Sequence, residues 1–257
     1  NLLTANAGFN LNWSGGRLTD VNLGLNTNLT GSGYISGNLN LVGGATITWG
    51  NNANLYYIGN TSITGAGMLD LAGLNAQIYR NTTNTGLTIG SGVTVQATGT
   101  NTSNVWLGYY SDETITLQAG AIWNVNNATK TWYTGNVVNQ SSTVNVSAGG
   151  VYLGPYSGNG TFNNTGGTIN LSGGFIALGS GNGDTVSASQ IGTINQTGGT
   201  AYVNGTLDLG GNTLNLSTVG LTGLVLNNGS NNVVTGTAGN LLTANAGFNL
   251  NWSGGRL

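Results

Sequence analysis

The chain has 257 residues, of which 47 are glycine, 41 asparagine and 36 threonine; only ten side chains are charged, and the net charge is −2. With neither histidine nor cysteine, the usual general base, soft metal ligands, thiol nucleophile and disulfide staple are all missing. Four scattered cations do not make the basic footprint that nucleic acid or an anionic membrane surface demands, and the longest apolar runs, 55–58 and 175–178, are four residues against the ~20 that span a bilayer.

Self-similarity organises the chain. Residues 1–18 read NLLTANAGFNLNWSGGRL, and residues 240–257 read the same without a difference, at an offset of 239. We therefore expect residues 1–239 to be one unit of a tandem array and 240–257 to be the start of the next. No basic segment followed by an apolar one opens the chain, so any signal peptide is expected outside this window.

Within the unit a shorter period recurs: aliphatic, any, aliphatic, any, any, glycine. In chain order it runs through Leu39, Leu41 and Gly44, through Leu87, Ile89 and Gly92, and through Ile115, Leu117 and Gly120. It continues with Val144, Val146 and Gly149, with Ile169, Leu171 and Gly174, and with Ile194, Gln196 and Gly199. Variants carry the glycine one place earlier, at Leu69, Leu71, Gly73 and at Leu207, Leu209, Gly211. Alternation of apolar and polar residues over such short runs is the mark of strands, the aliphatics inward and residues such as Asn40 outward. Helix is not expected, because glycine or asparagine interrupts nearly every run. The glycines Gly44, Gly92, Gly120, Gly149, Gly174 and Gly199 are read as structural corners, where the chain bends into positive φ. A second set of bulky residues ahead of a glycine follows each corner, as in 55–59, 105–108, 151–154 and 175–179.

Two or three short strands per turn of roughly 19–30 residues, stacked on their counterparts above and below, predict an all-β fold: a single-stranded parallel β-solenoid of about nine to ten turns, advancing roughly 43–48 Å. Inward Leu, Ile and Val then form one narrow core, while outward Asn and Thr ladder between turns. Open edges are confined to the two ends.

The segment 152–205 carries GTFNNTGGTINL (160–171) and GTINQTGGTAYV (192–203). It resembles the Gly/Thr/Asn-rich β-strand repeats of large bacterial surface proteins, including autotransporter-associated repeats. The resemblance covers about a fifth of the chain; it implies an extended extracellular stalk, adhesin or fibre, secreted to the cell surface, and supplies no catalytic residues.

The remaining candidates are weighed by spacing. Of the six acids, Asp20, Asp70, Asp112, Glu113, Asp184 and Asp208, only Asp112 and Glu113 adjoin, and neighbours in a strand point to opposite faces, so no enzyme is expected. Asp70 and Asp208 are read as outward residues solvating a turn. GSGNGDTVS (179–187) is read as a glycine-rich corner, because a repeated calcium-binding turn would need glycine at Ser180 and Asn182; no metal or other cofactor is expected. Thr46/Thr48, Thr114/Thr116 and Thr129/Thr131 fall at unequal offsets from the corners, which breaks any flat threonine array. Asn-x-Ser/Thr sequons such as Asn60, Asn101, Asn145 and Asn204 follow from composition. Of the aromatics Trp13, Trp49, Trp106, Trp123, Trp132, Tyr56/Tyr57 and Tyr109/Tyr110, most are expected in the core, with one of Tyr109 and Tyr110 outward. An outward row offers a surface for glycans or for a neighbouring filament. The expected function is the shaft of a long extracellular filament, sheath or stalk whose partner is itself; the alternative is an adhesin that holds glycans.

Overall fold

A computed structural model describes residues 2–4, 9–181, 183–226, 233–237 and 242–252. Every strand pairing among them is parallel, and most strands lie between the one a turn earlier and the one a turn later. The chain is a β-solenoid with three strands per turn. The first face runs from Leu2–Leu3 through Thr85–Ile89 and Glu113–Leu117 to Val233–Thr235. The second face includes Leu11–Trp13, Thr27–Leu29, Thr46–Trp49 and Thr168–Leu171. The third includes Gln77–Arg80, Ser103–Leu107, Phe175–Leu178, Gly223–Leu226 and Asn249–Trp252.

Alternation explains the core. In Val93–Gln96 and Thr168–Leu171 every second residue is buried, and the inward residue of one turn lies in register with that of the next, as Val144, Ile169 and Ile194 do. The resulting column includes the bulky Trp49, Tyr57, Trp123 and Trp132, all at most 1% exposed. Stacking each turn on two others pairs the backbone without charged groups, which is how a nearly uncharged chain folds. Outside, Asn145 donates to Asn124 (3.0 Å), Asn170 to Asn145 (2.9 Å) and Asn195 to Asn170 (3.0 Å), an amide ladder down the second face.

Turn length varies from 16 residues, between Leu11 and Thr27, to 29, between Gln77 and Trp106. The six corner glycines all have positive φ, from 63° at Gly174 to 80° at Gly44 and Gly120. At Gly149 crowding adds to the dihedral, since a Cβ there would lie 2.3 Å from the Asn127 carbonyl oxygen and 2.5 Å from that of Lys130. Gly73 differs: its φ is not in that region, and it is instead pressed on the Gly50 carbonyl, 2.0 Å from where a Cβ would be.

The duplicated segment is placed at both ends, and not on the same faces. In the first copy Leu3 pairs with Leu23 on the first face, and Leu11–Trp13 pairs with Thr27–Leu29 on the second. In the second copy Leu242, equivalent to Leu3, pairs with Leu214 in a separate two-stranded ladder, and Asn249–Trp252 pairs with Gly223–Leu226 on the third face. Ten turns separate Leu3 from Val234 along the first face, so a unit occupies ten turns and one further face. At ~4.8 Å per turn this is about 50 Å, slightly longer than the sequence suggested.

Candidate functional site

The third face carries an outward row of aromatic rings. Tyr34, Tyr56 and Tyr79 occupy the same register on three successive turns; Tyr34 and Tyr56 stack at 5.0 Å, and the Tyr79 hydroxyl donates to that of Tyr56 at 2.8 Å. Higher on the same face Trp106, Tyr133, Tyr152 and Tyr202 share another register, interrupted by Ala177. Tyr133 and Tyr152 lie nearly parallel, 5.0 Å apart with 7° between planes. The two registers are bridged by Tyr110, Tyr109 and Tyr156, with centroid separations of 6.4 Å (Tyr79–Tyr110), 4.8 Å (Tyr109–Tyr110), 5.1 Å (Tyr109–Tyr156) and 4.9 Å (Tyr156–Tyr133). The rings are half-buried because each covers its neighbours; Tyr156 is the most open, at 41%.

Where Ala177 breaks the row, a shallow notch of about 280 Å³ is lined by Tyr152, Phe175, Ala177, Tyr202 and Asn204. Phe175 leans into it, edge-on to Tyr152 at 5.4 Å and to Tyr202 at 5.9 Å. It finds room by lying over Gly150, where a Cβ would be 1.9 Å from its ring.

Both Tyr109 and Tyr110 are half-exposed, rather than one of the pair: Gly108, at φ 87°, turns the chain out of the strand, so strand alternation no longer applies to them. Tyr56 faces out and Tyr57 in, as alternation requires.

Charged residues serve this region structurally. Arg80 lies over the Tyr110 ring at 4.2 Å, and its Nε is 2.7 Å from Asp112. Glu113 points the other way, into the core, completely buried. Its carboxylate accepts from the Tyr57 hydroxyl at 2.6 Å and from the amides of Arg80 (3.0 Å), Tyr110 (2.7 Å) and Tyr109. Burial lifts the Glu113 carboxyl above the ordinary carboxylate range, with the Tyr57 hydrogen bond acting against it. Burial and the facing carboxylate in turn raise the Tyr57 hydroxyl. Asp112 and Glu113 are thus divided between outside and inside and share no substrate-facing surface.

Three further ionisable residues are buried. Lys130, 1% exposed, donates to Ser103 Oγ at 2.8 Å and to the carbonyls of Gly73 (3.2 Å) and Ala72 (3.4 Å), tying three turns together; burial lowers its ammonium below the usual lysine value. Asp70 was expected outward but is only 7% exposed, because the 97–98 segment folds over it and Thr98 donates through its amide (2.9 Å) and hydroxyl (2.6 Å). Asp208 remains half-exposed and accepts from the Gly210 amide at 2.9 Å. In the 179–187 segment Asp184 is 1% exposed and accepts from the amides of Gly160 (2.7 Å) and Ser180 (2.6 Å); burial raises its carboxyl. Asn182 of that motif lies outside the described residues.

Among the described residues no three of His, Cys, Asp and Glu gather as metal ligands would. The described cations are engaged: Arg17 donates to Ser36 Oγ from Nε (3.0 Å) and from Nη2 (2.8 Å), Arg80 pairs with Asp112, and Lys130 is buried. Among these residues no helix is long and apolar enough to cross a membrane. Thr48 pairs with Asp70, and Thr116, in register with Thr88 one turn earlier, meets Val138 one turn later, so neither pair extends as a threonine column over successive turns. No known family profile, curated protein or solved structure matches the chain.

One arrangement therefore stands out, the aromatic row, able to stack or to bind apolar ring faces.

Proposed function

We propose that the chain is a structural repeat unit of a long extracellular fibrous protein, the shaft of a surface filament, sheath or stalk, built by continuous axial β-stacking. The observation that carries this reading is the two-sided use of one sequence. As residues 1–18 it supports the turn above it, Leu11 on Thr27 and Trp13 on Leu29; as residues 240–257 it sits on the turn below it, Leu250 on Leu224 and Trp252 on Leu226. Combining the two gives an unbroken register through the segment, from Leu226 to Trp to Leu29. A tandem array then has no open edge except at its extremities. The unit has no catalytic role in this reading, and its partner is the next unit.

The resemblance to bacterial surface repeats and the near absence of charge and thiols accord with a durable extracellular material. Electron microscopy of native cell-surface preparations, with an antibody to this unit, tests the assignment; label along extended fibres supports it, and label confined to the cell interior contradicts it.

A second reading, an adhesin that holds glycans, is favoured by the outward aromatic row. Sugar rings stack on aromatic faces, and Tyr156, the most open ring at 41% exposed, and the notch at Ala177 offer such faces. A glycan array probed with the intact chain and with Tyr156→Ala separates the readings: binding lost in the variant favours the adhesin, and no binding by either favours the shaft alone.

A further inference from the structure

We propose that Tyr56 and Tyr79 form a site of covalent modification: a one-electron oxidant of the peroxidase class, working with hydrogen peroxide, joins an ortho carbon of each ring into a dityrosine bridge between two successive turns. The proposal concerns one pair within the aromatic row and stands whether the chain is a shaft or an adhesin.

The two rings already hold nearly the arrangement of the product. Tyr56 and Tyr79 are partners in register on adjacent parallel strands, so their rings leave the same face one turn apart. Their centroids are 4.7 Å apart, close to the separation of two rings joined by a single carbon–carbon bond, and their planes cross at 68°. Directly joined rings are twisted in this way, because groups flanking the bond collide when the planes coincide. The Tyr79 hydroxyl donates to the Tyr56 hydroxyl at 2.8 Å, as one hydroxyl of an ortho-linked biphenol donates to the other. An ortho carbon lies between the ring centre and the hydroxyl, so rings that meet at both points also meet there. Burial, and then the hydrogen bond to Tyr56, raises the Tyr79 hydroxyl above the ordinary tyrosine value, so the bond that aligns the pair holds through neutral pH.

The chemistry balances with one peroxide per bridge. Each phenol gives up one electron and its hydroxyl proton; the two radicals combine at their ortho carbons, and the hydrogens on those carbons move to the oxygens and restore both phenols. The peroxide takes up the two electrons and two protons and leaves as two waters. Proximity decides which rings couple, since held neighbours react at effective concentrations far above those of free partners. Competing contacts are less suited. Arg80 lies over the Tyr110 ring at 4.2 Å, and a cation on the ring face opposes removal of an electron there, which turns coupling away from Tyr109–Tyr110 and Tyr79–Tyr110. Tyr133 and Tyr152 lie at 7° to one another and must turn out of their stack before their edges can join. The bridge ties residues 23 apart in sequence, so the two turns can no longer peel from each other.

The test treats the intact chain at high dilution with a haem peroxidase and hydrogen peroxide, beside Tyr56→Phe and Tyr79→Phe, which keep the rings and remove one hydroxyl each. Circular dichroism confirms that each variant keeps its β content. Monomer recovered in denaturant is cleaved after arginine and lysine and before aspartate. Asp70 is the one acid between the two tyrosines, so the bridge joins residues 20–69 to residues 70–80, with a mass two hydrogens below their sum and the blue fluorescence of dityrosine. The folded chain should give this linked pair in about tenfold or more the yield of the chain oxidised in denaturant, and each variant should lose it. A folded monomer that gives no linked pair, that couples mainly at other tyrosines, or that keeps the link in Tyr56→Phe would overturn the proposal.

Discussion

Trp13 and Trp252 are the same residue of the same 18-residue sequence, yet one is 5% exposed and the other 47%. Both point into the solenoid, Trp13 in register with Leu29 and Trp252 with Leu226. The difference is the neighbouring turn: Trp13 is covered by the turn that follows it, whereas Trp252 lies on the last described one. Burial in this architecture is a property of position in the stack as much as of sequence.

Under dilute conditions where copies do not associate, Trp13→Ala should therefore cost about 2–4 kcal/mol at the first turn, and Trp252→Ala less than about 1 kcal/mol. Hydrogen exchange reads the difference locally. The amides of Leu11 and Thr30, which bond Asn26 and Trp13, should exchange faster in Trp13→Ala and stay unchanged in Trp252→Ala.

Corner glycines divide by cause. Gly44 at φ 80° faces open space, and Gly44→Ala should cost about 1 kcal/mol from the dihedral alone. Gly149 at φ 73° also faces two carbonyl oxygens, so Gly149→Ala should cost at least about 2–3 kcal/mol. Chemical denaturation of the two variants against the parent checks the ranking; equal losses would mean that crowding at Gly149 is relieved by movement.

The period of the aliphatics made the strands and their parallel stacking legible, because Leu39/Leu41 or Ile169/Leu171 can bury together only on one side of a strand. The buried charges were legible in part. Glu113 shares parity with Ile115 and Leu117, and Lys130 with Trp132 and Thr134, so alternation alone points both inward. Asp70 has the outward parity and is buried by a loop 28 residues away, which no local pattern encodes. The aromatic row was visible as residues but not as a row. Its alignment depends on turn lengths of 22 residues between Tyr34 and Tyr56 and 29 between Gln77 and Trp106, set by loops of irregular length.

Glu113 predicts a pH dependence. Its folded carboxyl holds a proton to higher pH than the ordinary 4.5, so the folded state binds more protons in that range. The contribution to stability is full below about pH 4.5 and is lost as pH rises through the raised value; Asp184 acts in the same direction. Thermal midpoints should fall as pH rises above about 4.5, and Glu113→Gln should flatten that slope. The variant should also cost about 1–2 kcal/mol at low pH, because an amide nitrogen would face the Arg80 amide that now meets Oε2. A slope unaltered in Glu113→Gln would assign the titration elsewhere.

The central claim, that units continue through one another as a single solenoid, has a geometric signature in the one-face offset between the two copies of residues 1–18. Helical reconstruction by electron cryomicroscopy of filaments containing several consecutive units measures it most directly. The account predicts a turn spacing near 4.8 Å, a rise of about 50 Å per unit and a rotation of one third of a turn between units, so that the aromatic row moves to a new face with each unit. Closed particles, or units strung together with gaps and no shared turn, would contradict it.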